Sequence, residues 1–100
     1  MPKVKLVKSK AKNKKYSLLV LYNDEQSKPN IINFGDSRYS DYTKGATDKQ
    51  RDSYRSRHKK EKGQKFDTAG RLSYDILWGD SRSIKTNFDN YVKKFNLKRF

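Results

Sequence analysis

Cysteine is absent from this 100-residue chain. That excludes disulfide stapling and thiolate metal sites, and it fits a reducing compartment. Histidine occurs once, at His58, too little for a usual zinc site. A general-base role for His58 would need a pocket and an orienting carboxylate. Its sequence neighbours Arg57, Lys59 and Lys60 are cations and not carboxylates, so a surface or helix-packing residue is expected. No apolar run approaches the ~20 residues of a membrane-spanning helix. The start, Met1-Pro2-Lys3-Val4-Lys5, lacks the apolar centre of a signal peptide, so a soluble protein, intracellular when made, is expected. The chain has no phosphate-cradling P-loop, no dinucleotide-binding glycine pattern and no nucleophile elbow.

Carboxylates are also scarce, with 11 Asp+Glu against 25 Lys+Arg. Asp36 and Asp41, with Arg38 or Lys44 nearby, form the one pair that a Mg²⁺-dependent nuclease could use. Five positions is no diagnostic spacing, and Asp in a loop usually makes turns. No metal, other cofactor or enzymatic activity is expected.

What is present is positive charge and aromatic surface. The formal net charge is +14, with seven Tyr and five Phe. Such aromatic content suits a folded body rather than a disordered polyelectrolyte, although a hydrophobic fraction of 32% leaves only a small core. A chain this basic is drawn to nucleic acid, anionic membrane or acidic protein.

The centre of the fold is read at Thr68–Trp78, where Ala69, Leu72 and Ile76 share a helical face with Leu77 beside them. Asp67 or Thr68 would cap this helix, and Gly79 would end it in the left-handed conformation. Before it, Val4 and Leu6 alternate with Lys3, Lys5 and Lys8 as a half-exposed strand. The lysines of that strand would discourage edge-to-edge association. The runs Lys15–Tyr22 and Ile31–Gly35 read as two further strands. Thr47 and Gln50 match a capping box opening a basic helix from about Asp48 to Lys62, stopped at Gly63, with Tyr54 as its main anchor. From Ser81 or Ser83, the recurrence of Ile84, Phe88, Tyr91, Val92 and Phe95 predicts a final amphipathic helix. The tail Asn96–Phe100 would fold back or meet a partner.

The expected fold is α+β, a single small basic domain over residues 1–100: a three-stranded antiparallel meander followed by about three helices packed on one face. The expected core is Leu18, Val20, Ile32, Phe34, Phe66, Leu72, Ile76, Leu77, Trp78, Ile84, Phe88, Val92 and Phe95.

The strongest charge cluster runs from Arg51 to Lys65. Helical spacing would align Arg51, Arg55, His58 and Lys62 on one face able to track phosphates, with Arg57, Lys59 and Lys60 nearby. Tyr39, Tyr42 and Tyr54, interleaved with Arg38 and Arg51, would add base stacking. The candidate polyanion-binding set is the eight basic residues named here with Tyr39 and Tyr42, and the competing reading is a solubilising face.

The motifs Phe34-Gly35, Tyr39-Ser40-Asp41-Tyr42-Thr43, Arg57-His58-Lys59-Lys60-Glu61, Thr68-Ala69-Gly70-Arg71-Leu72-Ser73 and Ile76-Leu77-Trp78, in that order, resemble a family of small basic proteins of unknown function from large double-stranded DNA viruses, the giant viruses included. The chain departs from that pattern after Glu61, where Gly63 to Lys65 replace an aromatic, and at Asp75, where a basic residue is usual. The resemblance implies a non-enzymatic virion component, made in the host cytoplasm or viral factory. Its implied role is that of a minor capsid protein bridging larger shell proteins, or shell and genome. Its partners would be capsid proteins or DNA. The alternative is a nucleic-acid-binding protein without sequence preference, acting in packaging or regulation.

Overall fold

The alternating and continuous apolar runs of the first third form the expected hairpin and its extension. The structure, a computed structural model, describes residues 2–100. Strand β1 (Lys3–Lys8) pairs antiparallel with β2 (Lys14–Leu21), from Lys3 opposite Leu21 to Lys8 opposite Tyr16. Asn13 turns the hairpin with φ 63°, a left-handed conformation that Asn adopts at little cost. Strand β3 (Asn30–Asp36) continues the antiparallel order against β2. Gly35 stands in β3 with φ +78°, and a Cβ there would lie 2.7 Å from Leu77 Cδ1. The bare backbone at that point lets the central helix approach the sheet.

The sheet is not the pure three-stranded meander expected from the sequence. It has four strands in the order β3-β2-β1-β4, and β4 (Lys98–Arg99) runs parallel to β1. A two-residue strand has no periodicity to read. It is held instead by burial of Leu97, 9% exposed, and by hydrogen bonds from Lys98 N to Pro2 O (3.1 Å) and Phe100 N to Val4 O (3.3 Å). Asn96, with φ 53°, turns the chain out of the last helix toward β1. Of the two fates considered for the tail, it takes the first and folds back.

The capping box forms as expected. In helix α1 (Asp48–Arg57) the Thr47 side chain accepts from Gln50 N, and the Gln50 side chain accepts from Thr47 N. The helix ends earlier than expected, at Arg57. Lys59–Gly63 continue it only as a 3-10 turn, so Lys62 leaves the Arg51–Arg55 face. The α1 sequence is so polar that none of its residues is buried.

The central segment is helical and buried, but not with the expected face. Helix α2 (Ala69–Leu72) is capped by Thr68, and Ser73–Leu77 follow it as one wide π turn. Asp67 is not the cap; it accepts from the Tyr22 hydroxyl at 2.7 Å. Ala69 is exposed, whereas Arg71, Leu72 and Tyr74 to Leu77 are all buried. The π turn adds a residue to the helical circuit and rotates the register. Gly79 does not end the helix through a left-handed conformation, since Gly35 and Gly45 are the glycines with positive φ. It is required because a Cβ would sit 2.2 Å from the Asp75 carbonyl oxygen and 2.8 Å from Asn87 Cγ.

Helix α3 (Ile84–Lys94), capped by Ser83, lays Phe88 and Tyr91 onto the core. The buried centre is Val4, Leu18, Val20, Phe34, Leu72, Ile76, Leu77, Phe88, Tyr91 and Leu97. Ile32, Phe66, Trp78, Ile84, Val92 and Phe95 pack around its edge. Val4, Tyr91 and Leu97 are the core members missing from the set expected from the sequence. Burying each large apolar side chain contributes roughly 1.5–3 kcal/mol.

Candidate polyanion-binding surface

The arginines of α1 that share its Arg51–Arg55 face are half-buried and reach toward the central helix. Arg51 Nε donates to Gly79 O at 2.7 Å and its Nη2 to Asp80 at 2.7 Å. Arg55 Nη1 donates to Trp78 O at 2.8 Å and Tyr74 O at 3.3 Å, with its guanidinium 4.1 Å from the Tyr74 ring centroid. These are carbonyls at the C-terminal end of the central helix, where partial negative charge and unpaired acceptors collect. Asn87 completes the set by donating to Ile76 O at 2.8 Å. A helix with no apolar face is thus docked by two cations that cap another helix. Helical spacing places Arg51 and Arg55 on one face as expected, but that face meets the central helix: Arg51 is held there through Nε and Nη2 and Arg55 through Nη1.

Two other members of the expected set are also engaged. Arg38 forms a two-pronged pair with Asp36 (2.8 and 3.0 Å), which holds the Asp36 carboxyl down at about 2. The Tyr42 ring has Arg82 at 4.2 Å and Arg51 at 5.4 Å, and its hydroxyl donates to Asp48 at 2.7 Å. That bond to the Asp48 carboxylate raises the Tyr42 pKa. Arg82 also ties the loop to the start of α3 by donating to Ala46 O at 2.9 Å. Asp41 lies 1% exposed, paired with Lys15 and accepting from the amide and hydroxyl of Thr43. Asp36 and Asp41 therefore serve as turn-formers and ion-pair partners, and no group of three or more metal-ligating side chains occurs among the described residues.

Arg57, His58, Lys59, Lys60, Lys62 and Tyr39 remain. The Arg57 hydrogen bond within the chain is a long one, Nε to Ser53 O at 3.4 Å. His58 stacks on Tyr54 with centroids 4.1 Å apart, and Tyr54 stacks on Trp78 at 4.4 Å. Burial in this stack pushes the Tyr54 hydroxyl up to about 12. The three rings line a cleft of about 520 Å³, together with the Lys15–Asp41 pair, Tyr39 and Arg57. A second cleft of about 450 Å³ shares Tyr39, Arg57 and Trp78 and reaches Lys49 and Ser53. Tyr39, 69% exposed, and Arg57 form the ridge between the two. Lys59, Lys60 and Lys62 follow on the exposed 3-10 turn.

This ridge presents an open aromatic face beside cations without carboxylate partners among the described residues, a combination that can stack a base and neutralise phosphate. Lys49 and Trp78 belong to the same surface and are not in the set drawn from sequence. Lys49 shares the second cleft with Tyr39, a juxtaposition that only the loop path creates.

No helix among the described residues is long and apolar enough to cross a membrane. No curated protein and no solved structure matches the chain. One family matches residues 4–58, from β1 to the end of α1, and so covers the three-stranded part of the sheet, the Tyr39 loop and the basic helix up to His58. By that match the chain belongs to a family of unknown function, DUF5754.

Proposed function

We propose that the protein is a non-enzymatic polyanion-binding module that holds nucleic-acid backbone without reading its sequence. The observation that carries this reading is the division of labour between the two cations. All seven arginines are bonded to carboxylates or carbonyls within the fold, Arg57 only by its long bond to the Ser53 carbonyl and the other six by shorter contacts. Of the lysines, only Lys3, Lys15 and Lys94 lie within ion-pair distance of a carboxylate among the described residues. Arg is the side chain that recognises guanine edges two-pronged; Lys is a mobile point charge suited to phosphate. A surface whose free charge is mostly lysine favours affinity over specificity.

The ridge of Tyr39, Arg57, Lys59 and Lys60 is the proposed contact. Replacing Arg57, Lys59 and Lys60 by Gln is expected to lower the slope of log K against log salt by about 0.9 for each duplex phosphate that is no longer neutralised. Tyr39→Ala is expected to weaken single-stranded binding by roughly 1–3 kcal/mol, the worth of one stacked base. An unchanged slope in the triple variant would reduce the ridge to a solubilising face.

The sequence resemblance supports a setting for this activity, a virion component lying between shell and genome. Opening purified particles gently at physiological salt tests it. Release of the protein with the DNA supports the setting, retention on the empty shell supports a minor capsid protein held by its neighbours, and absence from the particles removes both.

A further inference from the structure

The helices cover one face of the sheet, and the other face is open. The register places Lys5, Leu19 and Ile31 in one row across β1, β2 and β3, and Val7, Ser17 and Asn33 in the next. Between these rows and the loops at Ala11 and Pro29 lies a groove of about 460 Å³. Ile31 is 63% exposed in it. The Ser9 and Ser17 hydroxyls both donate to Asn33 Oδ1, so the Asn33 amide hydrogens, which have no acceptor among the described residues, remain for a ligand. Lys8 and Lys10 stand on the rim, with Lys5 exposed beside it. None of the three has a carboxylate within ion-pair distance among the described residues, and no carboxylate lines the groove.

We infer that this face docks an acidic amphipathic segment of a partner protein, whose apolar side chains enter between Val7, Leu19 and Ile31 and whose carboxylates meet Lys5, Lys8, Lys10 and the Asn33 amide. An exposed apolar patch with a polar rim marks an interaction site, and the sign of this rim selects the partner. A second copy brings the same lysines and the same +14 charge against them, and so is repelled. A flat lipid surface matches a convex apolar tip, not a concavity between strands and loops. Guarding a sheet edge explains lysine on β1, but it does not explain an apolar hollow in the middle of the face. The groove lies on the side of the sheet away from the helices, so the inference stands apart from the polyanion reading.

The test uses the full chain and two synthetic peptides of one composition. In the first, Leu occupies one helical face and Glu the other; in the second, the order is scrambled. The patterned peptide is expected to bind about tenfold tighter than the scrambled one or more. Ile31→Ser, at a position exposed enough to leave the fold intact, is expected to remove that advantage, because burial of the Ile side chain supplies it. Lys8→Gln with Lys10→Gln is expected to flatten the salt dependence of peptide binding. Ile31→Ser should leave salt-dependent DNA binding unchanged, which separates failure of this inference from failure of the ridge. Equal affinity for the two peptides, binding of phosphatidylserine vesicles in preference to peptide, or dimerisation abolished by Ile31→Ser would each overturn the inference.

Discussion

Replacing Arg71 by Met removes the cation from the most enclosed ion pair among the described residues. Arg71 Nε lies 2.8 Å from Asp75 Oδ2, with the side chains 7% and 4% exposed. The same guanidinium donates to the carbonyls of Glu61 and Lys62 and lies 4.8 Å from the centroid of the Phe95 ring. It therefore joins the basic 3-10 turn, the central helix and the end of α3 at one point. After the change, Asp75 keeps only Lys94 at 3.4 Å, and two carbonyls lose their donor. Breaking one side of a buried pair costs about 3–5 kcal/mol, because a charge is left uncompensated. A domain of this size has roughly 5–15 kcal/mol in total. Urea unfolding followed by circular dichroism should show a large fall in midpoint. The double variant Arg71→Met with Asp75→Leu removes the stranded charge and should recover about 2 kcal/mol of the loss, since buried pairs replaced by apolar residues often lose little. Equal midpoints for the native chain and Arg71→Met, or a double variant no more stable than the single one, would refute the reasoning.

Arg51→Ala with Arg55→Ala should lower thermal stability by roughly 1–3 kcal/mol for each carbonyl left without a donor, while the salt slope of DNA binding measured on folded protein stays near the native value. Gly79→Ala should cost about 1–3 kcal/mol or more, read as a fall in Tm, because the new Cβ meets the Asp75 carbonyl, which cannot swing aside. Leu97→Ala should cost roughly 2–5 kcal/mol in urea unfolding and increase amide exchange at β4, whose pairing depends on that anchor. Burial, with a hydrogen bond to Asp67 adding at Tyr22, pushes Tyr22 and Tyr54 up to about 12, and burial raises Tyr91 as well. The folded state thus holds these phenolic protons more tightly than the unfolded chain, whose tyrosines titrate near 10. The stabilisation is complete below pH ~10 and is lost between about 10 and 12. Tyrosinate absorbance should therefore rise in step with the loss of circular dichroism; complete ionisation near pH 10 in a still-folded protein would contradict it.

Local signals carried much of the architecture. Three strands, the Thr47 capping box, the Thr68 cap and the period of α3 follow from side-chain alternation and from hydroxyls placed one turn before the amides they accept from. Each of these depends on residues a few positions apart. The π turn at Ser73–Leu77 has no such signature: it arises where Arg55 and Asn87, distant in sequence, take up the carbonyls of the central segment.

The same division decides the surface. The sequence by itself determined that the protein is strongly basic, lacks cysteine and carries one helix with an amphipathic period, because composition and short-range spacing are properties of the chain. Only the tertiary structure decided which charges are free. Helical spacing aligns Arg51 with Arg55 correctly, but spacing says nothing of whether that face meets water or the carbonyl end of another helix. The structure spends those two inward and leaves Arg57, Lys59, Lys60 and Tyr39 outward. Leu97 joins the core and β4 joins the sheet for a related reason: a single apolar residue has no period, and its burial is set by the turn at Asn96 that carries it back to β1.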